Sequence, residues 1–281
     1  MKNTYFELID QTYYFPQEGF DLQDGELFFN GVSLKFLIEK YGTPFRLTYL
    51  PKIGDQIKRA KNWFNKAMKA NSYKGKYYYC YCTKCNHFQH VISEAVKHGV
   101  HLETSSSFDI DLILRLYKQK KITKSHVLVH NGYKTEEYLQ KIIMLKEMGF
   151  KNSIAVLDSM EELDKYMVAK TPIKIGIRLA TDLQPQSDYY TSRLGIRSSE
   201  VMNFYENKIK GNEKVQLKMV HFFVDSGIKD NIYYWGEFQK ALHTFAELKK
   251  ACPSIKALNL GGGFPIRNNL GFEYDYKYMA N

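Results

Sequence analysis

Eight short runs rich in β-branched and aromatic residues alternate with seven longer runs of helical period, and this alternation constrains the fold more than any other feature of the chain. The strand runs are Pro44–Tyr49, Lys76–Cys82, His101–Ser105, Ser125–His130, Ser153–Leu157, Ile173–Leu179, Leu217–Val224 and Ile255–Leu260. Between them lie Lys52–Ala70, Phe88–His98, Asp109–Gln119, Thr135–Met148, Ser159–Val168, Ser198–Asn207 and Tyr234–Ala251. Eight strands joined by seven helical crossovers is the count of a (β/α)₈ TIM barrel, a fold that takes about 250 residues. A doubly wound open sheet satisfies the same alternation. Asp158 and Ser159, followed by Glu161 and Glu162, read as a helix N-terminus, and Gly99 and Gly149 sit where helices should stop. Residues 1–43 precede the first barrel strand as a separate segment with a short strand at Leu27-Phe28-Phe29 and a helix at Ser33–Tyr41; residues 44–281 form the barrel domain.

In such a barrel, chemistry gathers at the C-terminal ends of the strands. Here those ends carry Lys84, Glu103, His130-Asn131-Gly132, Arg178, Asp225-Ser226-Gly227 and Gly261-Gly262-Gly263. Lys84 follows a strand and has no helical charge pattern around it, so its amine is placed to face a pocket; the bland alternative is one more surface lysine. Three glycines between Leu260 and Phe264-Pro265 permit close backbone approach, and bare N–H groups there can cradle a phosphate. An amine able to form a Schiff base opposite a phosphate cradle points to pyridoxal 5'-phosphate. Glu103 and His221 each read either as groups of that site or as a salt-bridged loop acid and a satisfied core histidine.

Composition narrows the function classes. A net charge of +10 raises nucleic acid as a partner, but the lysines are interleaved with glutamates, as in Leu145-Lys146-Glu147, which is the pattern of a solvated surface. No apolar run approaches the roughly 20 residues that cross a bilayer, and the N-terminus has no signal-peptide pattern, so the expected compartment is the cytoplasm. Cys80, Cys82, Cys85 and Cys252 make a poor disulfide framework, and no second Cys/His pair gives zinc spacing. They read as reduced, small buried hydrophobes rather than metal ligands.

The motifs together resemble the fold-type III pyridoxal-phosphate decarboxylases, the group containing ornithine, diaminopimelate and biosynthetic arginine decarboxylases on an alanine-racemase-like barrel. The resemblance rests on Tyr81-Cys82-Thr83-Lys84-Cys85-Asn86, Leu102-Glu103-Thr104-Ser105-Ser106, Asn131-Gly132-Tyr133-Lys134, Ser192-Arg193-Leu194-Gly195, His221-Phe222-Phe223-Val224-Asp225-Ser226-Gly227 and Gly261-Gly262-Gly263-Phe264-Pro265. It implies that Lys84 carries the cofactor as a Schiff base and that Glu103 is the acid beside it. Ser226 with Gly261, Gly262 and Gly263 would hold the phosphate, and Phe223 and Arg178 complete the cofactor-binding set. The Asn131–Lys134 stretch looks most like arginine decarboxylases, which implies conversion of L-arginine to agmatine and CO2 in polyamine and spermidine synthesis by a homo-oligomer.

Alternatives are ornithine, diaminopimelate or a carboxy-polyamine as substrate, or a non-catalytic pyridoxal-phosphate-binding paralogue. Phe223 stands where the family has a ring-stacking histidine, and Asp225 where it has glycine. The resemblance also implies a second, C-terminal β domain that this chain does not carry. The barrel alone is therefore expected to bind the cofactor weakly and to turn over little.

Overall fold

A computed structural model describes residues 19–181, 194–224, 231–265 and 275–281. They divide into two compact units, one before Leu50 and after Phe264, the other Leu50–Phe264. The smaller unit contains a three-stranded antiparallel meander, β1 (Phe20–Gln23), β2 (Glu26–Phe29) and β3 (Val32–Ser33), followed by helix α1 (Leu34–Tyr41). Ser33 caps that helix by accepting a hydrogen bond from the Phe36 N–H at 3.2 Å. The expected helix is thus present, and the expected strand at Leu27–Phe29 is the centre of the meander.

The larger unit alternates strand and helix as its sequence period requires. Its helices are α2 (Pro51–Ala70), α3 (Gln89–Lys97), α4 (Ser107–Lys118), α5 (Glu136–Glu147), α6 (Ser198–Phe204) and α7 (Asn231–Ala251). Its strands are β4 (Cys80–Cys82), β5 (His101–Thr104), β6 (Leu128–His130), β7 (Ser153–Leu157), β8 (Ile173–Arg178), β9 (Val215–His221) and β10 (Ala257–Asn259), all parallel and in the order β10-β9-β8-β7-β6-β5-β4. Every residue of β7 is buried, as expected of a parallel strand covered on both faces.

The sheet is curled, and two observations prove it. Six strands from β5 to β10 in a flat sheet would put their ends about 24 Å apart, yet the Asn259 amide of β10 lies 3.3 Å from the Glu103 carboxylate of β5. One apolar cluster, Val129, Ile154, Val156 and Met219 with Cys80 and Ala257 against it, also draws on β4, β6, β7, β9 and β10 at once. Only a barrel-like interior brings side chains of both edge strands into one cluster.

Three sequence expectations need correction. Pro44–Tyr49 forms no strand: its alternation of apolar side chains reads as one, but no neighbouring ladder pairs with it, and Pro44 has no N–H to offer. The run from Lys76 pairs only from Cys80 onward; upstream, Tyr77 stacks on Phe64 of α2 at 4.2 Å, an aromatic contact rather than a ladder. The expected helix at Ser159–Val168 is a 3-10 segment, Glu161–Tyr166, without a side-chain cap, because Asp158 is turned towards Lys134 and Arg178 instead. Gly99 and Gly149 do end their helices, at φ +65° and +96°.

On the outer face of the sheet a buried hydrogen-bond chain ties strands to α5. The Thr104 hydroxyl lies 2.7 Å from both His130 Nδ1 and the Tyr138 hydroxyl, and His130 Nε2 lies 2.8 Å from the Ser153 hydroxyl. Burial, helped by the charge of Lys134, pushes His130 down to about 3. Below pH 6.5 the unfolded chain takes up a proton that the folded chain refuses until about pH 3, so stability falls as the pH drops through that window. Denaturant titrations at pH 7 and pH 5 should show that His130→Gln shrinks the acid-induced stability loss by about 2 kcal/mol. An unchanged difference between the two pH values would contradict this burial argument.

Candidate active site at the mouth of the barrel

Lys84 sits in the middle of a 3-10 turn, Thr83–Cys85, that follows β4 directly. Two hydroxyls pin the turn: Thr83, itself buried, donates to the Glu103 carbonyl at 3.0 Å, and Tyr81 donates to the Asn86 carbonyl at 2.9 Å. The Lys84 side chain is exposed and its ammonium lies over the Phe223 ring, 5.1 Å from the centroid. The Arg178 guanidinium, at the end of β8, lies 5.7 Å from the same centroid. One aromatic ring thus meets two cations, each contact contributing about 0.5–1 kcal/mol or more as water is excluded.

Glu103, at the end of β5, accepts from the Asn131 amide at 3.0 Å and the Asn259 amide at 3.3 Å, and the Cys82 thiol lies 4.0 Å away. Asn131 Nδ2 also lies 3.2 Å from His221 Nε2. Burial, together with the positive charges of Arg178, Lys84 and Lys134, pushes His221 down to about 3, so it is neutral, accepts at Nε2 and carries its proton on Nδ1. His221 is therefore a buried polar partner of Asn131. Asn131 Oδ1 and His221 Nδ1 are buried without a hydrogen-bond partner among the described residues.

Asn259 also positions the glycine run. Its carbonyl oxygen accepts from the Gly261 N–H at 2.8 Å while its amide holds Glu103. Gly261 has φ +67°, and a Cβ there would stand 2.5 Å from the Phe222 carbonyl and 2.9 Å from Phe223 Cδ2. Only glycine fits this close approach. A Cβ on Gly262 would meet nothing within 4 Å, so the backbone is open to a ligand there. The arrangement suits an anionic, planar cofactor: an amine, a guanidinium, an aromatic face and an uncovered glycine turn converge on one mouth.

Behind the mouth lies a buried ionic cluster that the sequence did not announce. Lys134 donates to the Gly132 carbonyl at 2.7 Å and to the Val156 carbonyl, and lies 3.2 Å from Glu162 and 3.8 Å from Asp158. Asp158 faces Arg178 at 3.7 Å. Burial raises the Glu162 carboxyl, opposed chiefly by Lys134. The only hint in the sequence was that Lys134 and Asp158 follow strands closely; a buried charge leaves no periodic signature.

Of the predicted site residues, Lys84, Phe223 and Arg178 come together around one ring, and Glu103 joins the glycine run through Asn259. Ser226, with Asp225 and Gly227, and Arg193 with Ser192 lie outside the described residues. The expectation that the three clustered thiols are buried fails for Cys85, which is exposed, while Cys80 and Cys82 are half-buried. No group of three or more His, Cys, Asp or Glu able to hold a metal occurs among the described residues. No described helix is long and apolar enough to cross a membrane. A cavity of about 660 Å³ opens elsewhere, on the Phe222 side of the β8 and β9 ends between Thr181 and Lys240, away from Lys84.

Replacing Lys134 with methionine should strand Glu162 as an uncompensated buried carboxylate and leave Asp158 with Arg178 as its one remaining cationic partner among the described residues. The expected loss in unfolding free energy at pH 7 is about 3–5 kcal/mol. A loss below about 1 kcal/mol in denaturant titration would mean the cluster is not a coupled ionic unit.

Comparison with known proteins bears on the fold and the family. Biosynthetic arginine decarboxylases from Prochlorococcus marinus and from a Nostoc species are each 26% identical over 247 residues, covering 83% of this chain and 36% and 35% of theirs. The chain spans about a third of the length of these curated relatives. Among solved structures, diaminopimelate decarboxylase from M. jannaschii aligns with a TM-score of 0.74 at 20% identity, covering 94% of this chain and 61% of that one. Biosynthetic arginine decarboxylase from Campylobacter jejuni aligns at 0.72 and 23%, covering 94% and 46%. These likenesses identify the fold as the TIM-barrel-like one of such decarboxylases. The family profile for the pyridoxal-dependent decarboxylase pyridoxal-binding domain matches residues 54–275, and the chain belongs to that family.

Proposed function

We propose that the chain binds pyridoxal 5'-phosphate at the barrel mouth and forms the cofactor domain of an amino-acid decarboxylase, with L-arginine as substrate and agmatine and CO2 as products. The observation that carries this reading is the convergence of Lys84, Arg178, Phe223 and the Gly261 turn on one mouth, in a chain that the pyridoxal-binding domain profile matches. Support for arginine comes from the names of the relatives and from the Asn131–Lys134 stretch. On this reading the reaction belongs to cytoplasmic polyamine and spermidine synthesis, in a homo-oligomer.

Each residue then has a task. Lys84, held on a pinned turn, would supply the amine that holds the cofactor. Phe223 would offer it an aromatic face, without the hydrogen bond or titration a histidine would add. Gly262 and Gly263 offer backbone to the phosphate, Gly261 makes the turn possible, and Ser226 adds a hydroxyl. Arg178 supplies positive charge beside that ring. Glu103 is fixed by two amides, so its charge stays beside the Lys84 turn, where it can hold a cationic group. When bound, the cofactor supplies an electron sink for the carbanion left as the α-carboxylate departs.

Incubation with pyridoxal phosphate, borohydride reduction and peptide mass mapping should find the pyridoxyl group on Lys84 and not spread over other lysines. L-Arginine added before the borohydride should protect Lys84 at lower concentration than L-ornithine or diaminopimelate. Random labelling would overturn the cofactor reading; equal protection by the three amino acids would overturn the arginine assignment.

A further inference from the structure

Lys84 is bracketed by two cysteines in Cys82-Thr83-Lys84-Cys85. Cys82 is the residue that leads into the 3-10 turn, and Cys85 is its last residue. A 3-10 turn rises about 2 Å per residue, so across three residues the Cα atoms stand about 6 Å apart. That is the favoured Cα separation of a disulfide. Cys85 is exposed and Cys82 is half-buried, so a reagent in solution reaches Cys85 first.

We propose that Cys82 and Cys85 form a redox-active dithiol, oxidised by low-molecular-weight disulfides, and that closing it withdraws Lys84 from its place over Phe223. The regulatory half of this proposal rests on Lys84 being the cofactor's amine; the dithiol itself does not. The electrostatics assign the order of events. The neighbouring Cys82 thiol and the charge of Lys84 hold the Cys85 thiol below its usual range, whereas Cys85, burial and Glu103 push Cys82 up. Cys85 is therefore the attacking thiolate. It displaces one thiolate from the small disulfide RSSR and forms a mixed disulfide. The Cys82 thiol, losing its proton to that leaving thiolate, then attacks the Cys85 sulfur and expels the second. In sum, two protein thiols and RSSR give one protein disulfide and two RSH, with two electrons passing to RSSR.

The sulfurs must close to about 2 Å. Cys82 then leaves Glu103, and the four-residue loop containing Lys84 tightens around its pinned Thr83. Lys84 lies inside that loop and is redirected with it. Cys80 and Cys252 have no such geometry and stay reduced.

The test uses mixtures of reduced and oxidised glutathione, followed by alkylation and peptide mapping. The expected result is that Cys82 and Cys85 lose alkylation together, with a two-hydrogen mass loss in their shared peptide, while Cys80 and Cys252 remain alkylated. A stable glutathione adduct on Cys85 with Cys82 still alkylatable, or a bond to Cys80, would overturn the dithiol. Pyridoxyl labelling of Lys84 should slow about fivefold or more in the oxidised chain, about 1 kcal/mol in the barrier. It should be insensitive to oxidation in Cys82→Ser. Equal labelling in both redox states would overturn the regulatory half. Acetylation of Lys84 by acetic anhydride, slowed by oxidation while pyridoxal phosphate never attaches in either state, would uphold the dithiol and sink the cofactor reading instead.

Discussion

One carboxylate ties the barrel mouth together. Glu103 receives an amide from Asn131 at the end of β6 and another from Asn259 at the end of β10, strands that a flat sheet would hold far apart. The inner face below is filled by Val129, Val156 and Met219, with Cys80 and Ala257 from the two edge strands packed against them. Apolar packing curls the sheet, and the polar layer above it reads out that curvature. An anion within the mouth is tolerable because its oxygens are hydrogen-bonded, the condition on which any buried charge depends.

The placement of the other site groups follows from this closure. Asn259 can serve Glu103 only with its amide inward, which turns its carbonyl oxygen to the Gly261 N–H and fixes the glycine turn. Gly261 then presses on Phe223, whose ring meets Lys84 and Arg178. Arg178 shares Asp158 with Lys134, so the cationic side of the mouth is anchored in the buried ionic cluster. A substitution at Glu103 should therefore be felt at the glycine turn, through Asn259.

Much of the fold was legible in the sequence because strand and helix periods are local properties. Ser153–Leu157 was read with its observed bounds, being continuously apolar between turn residues. Pro44–Tyr49 misled because alternation shows only that a segment could pair, not that a partner ladder exists. The lysine, the acid, the arginine and the glycines were legible from their positions at strand ends. Asn131 and Asn259 were visible there too, but their roles were not, since a hydrogen bond between β5 and β10 depends on how far the sheet curls. The burial of Lys134 was equally hidden, because its partners come from β7 and the segment after it. The general tendency of free cysteines to be buried fails for Cys85 because it lies in the turn past the strand, where its side chain is exposed.

The most direct test of the closure is a double-mutant cycle in denaturant between Glu103→Gln and Asn259→Ala, read as unfolding free energies. If one carboxylate bridges the edges of the curled sheet, the two effects are coupled by about 1 kcal/mol or more, as for groups in one hydrogen-bond network. Additivity within about 0.3 kcal/mol would show that β5 and β10 do not communicate through Glu103 and would contradict the account of how the mouth is assembled.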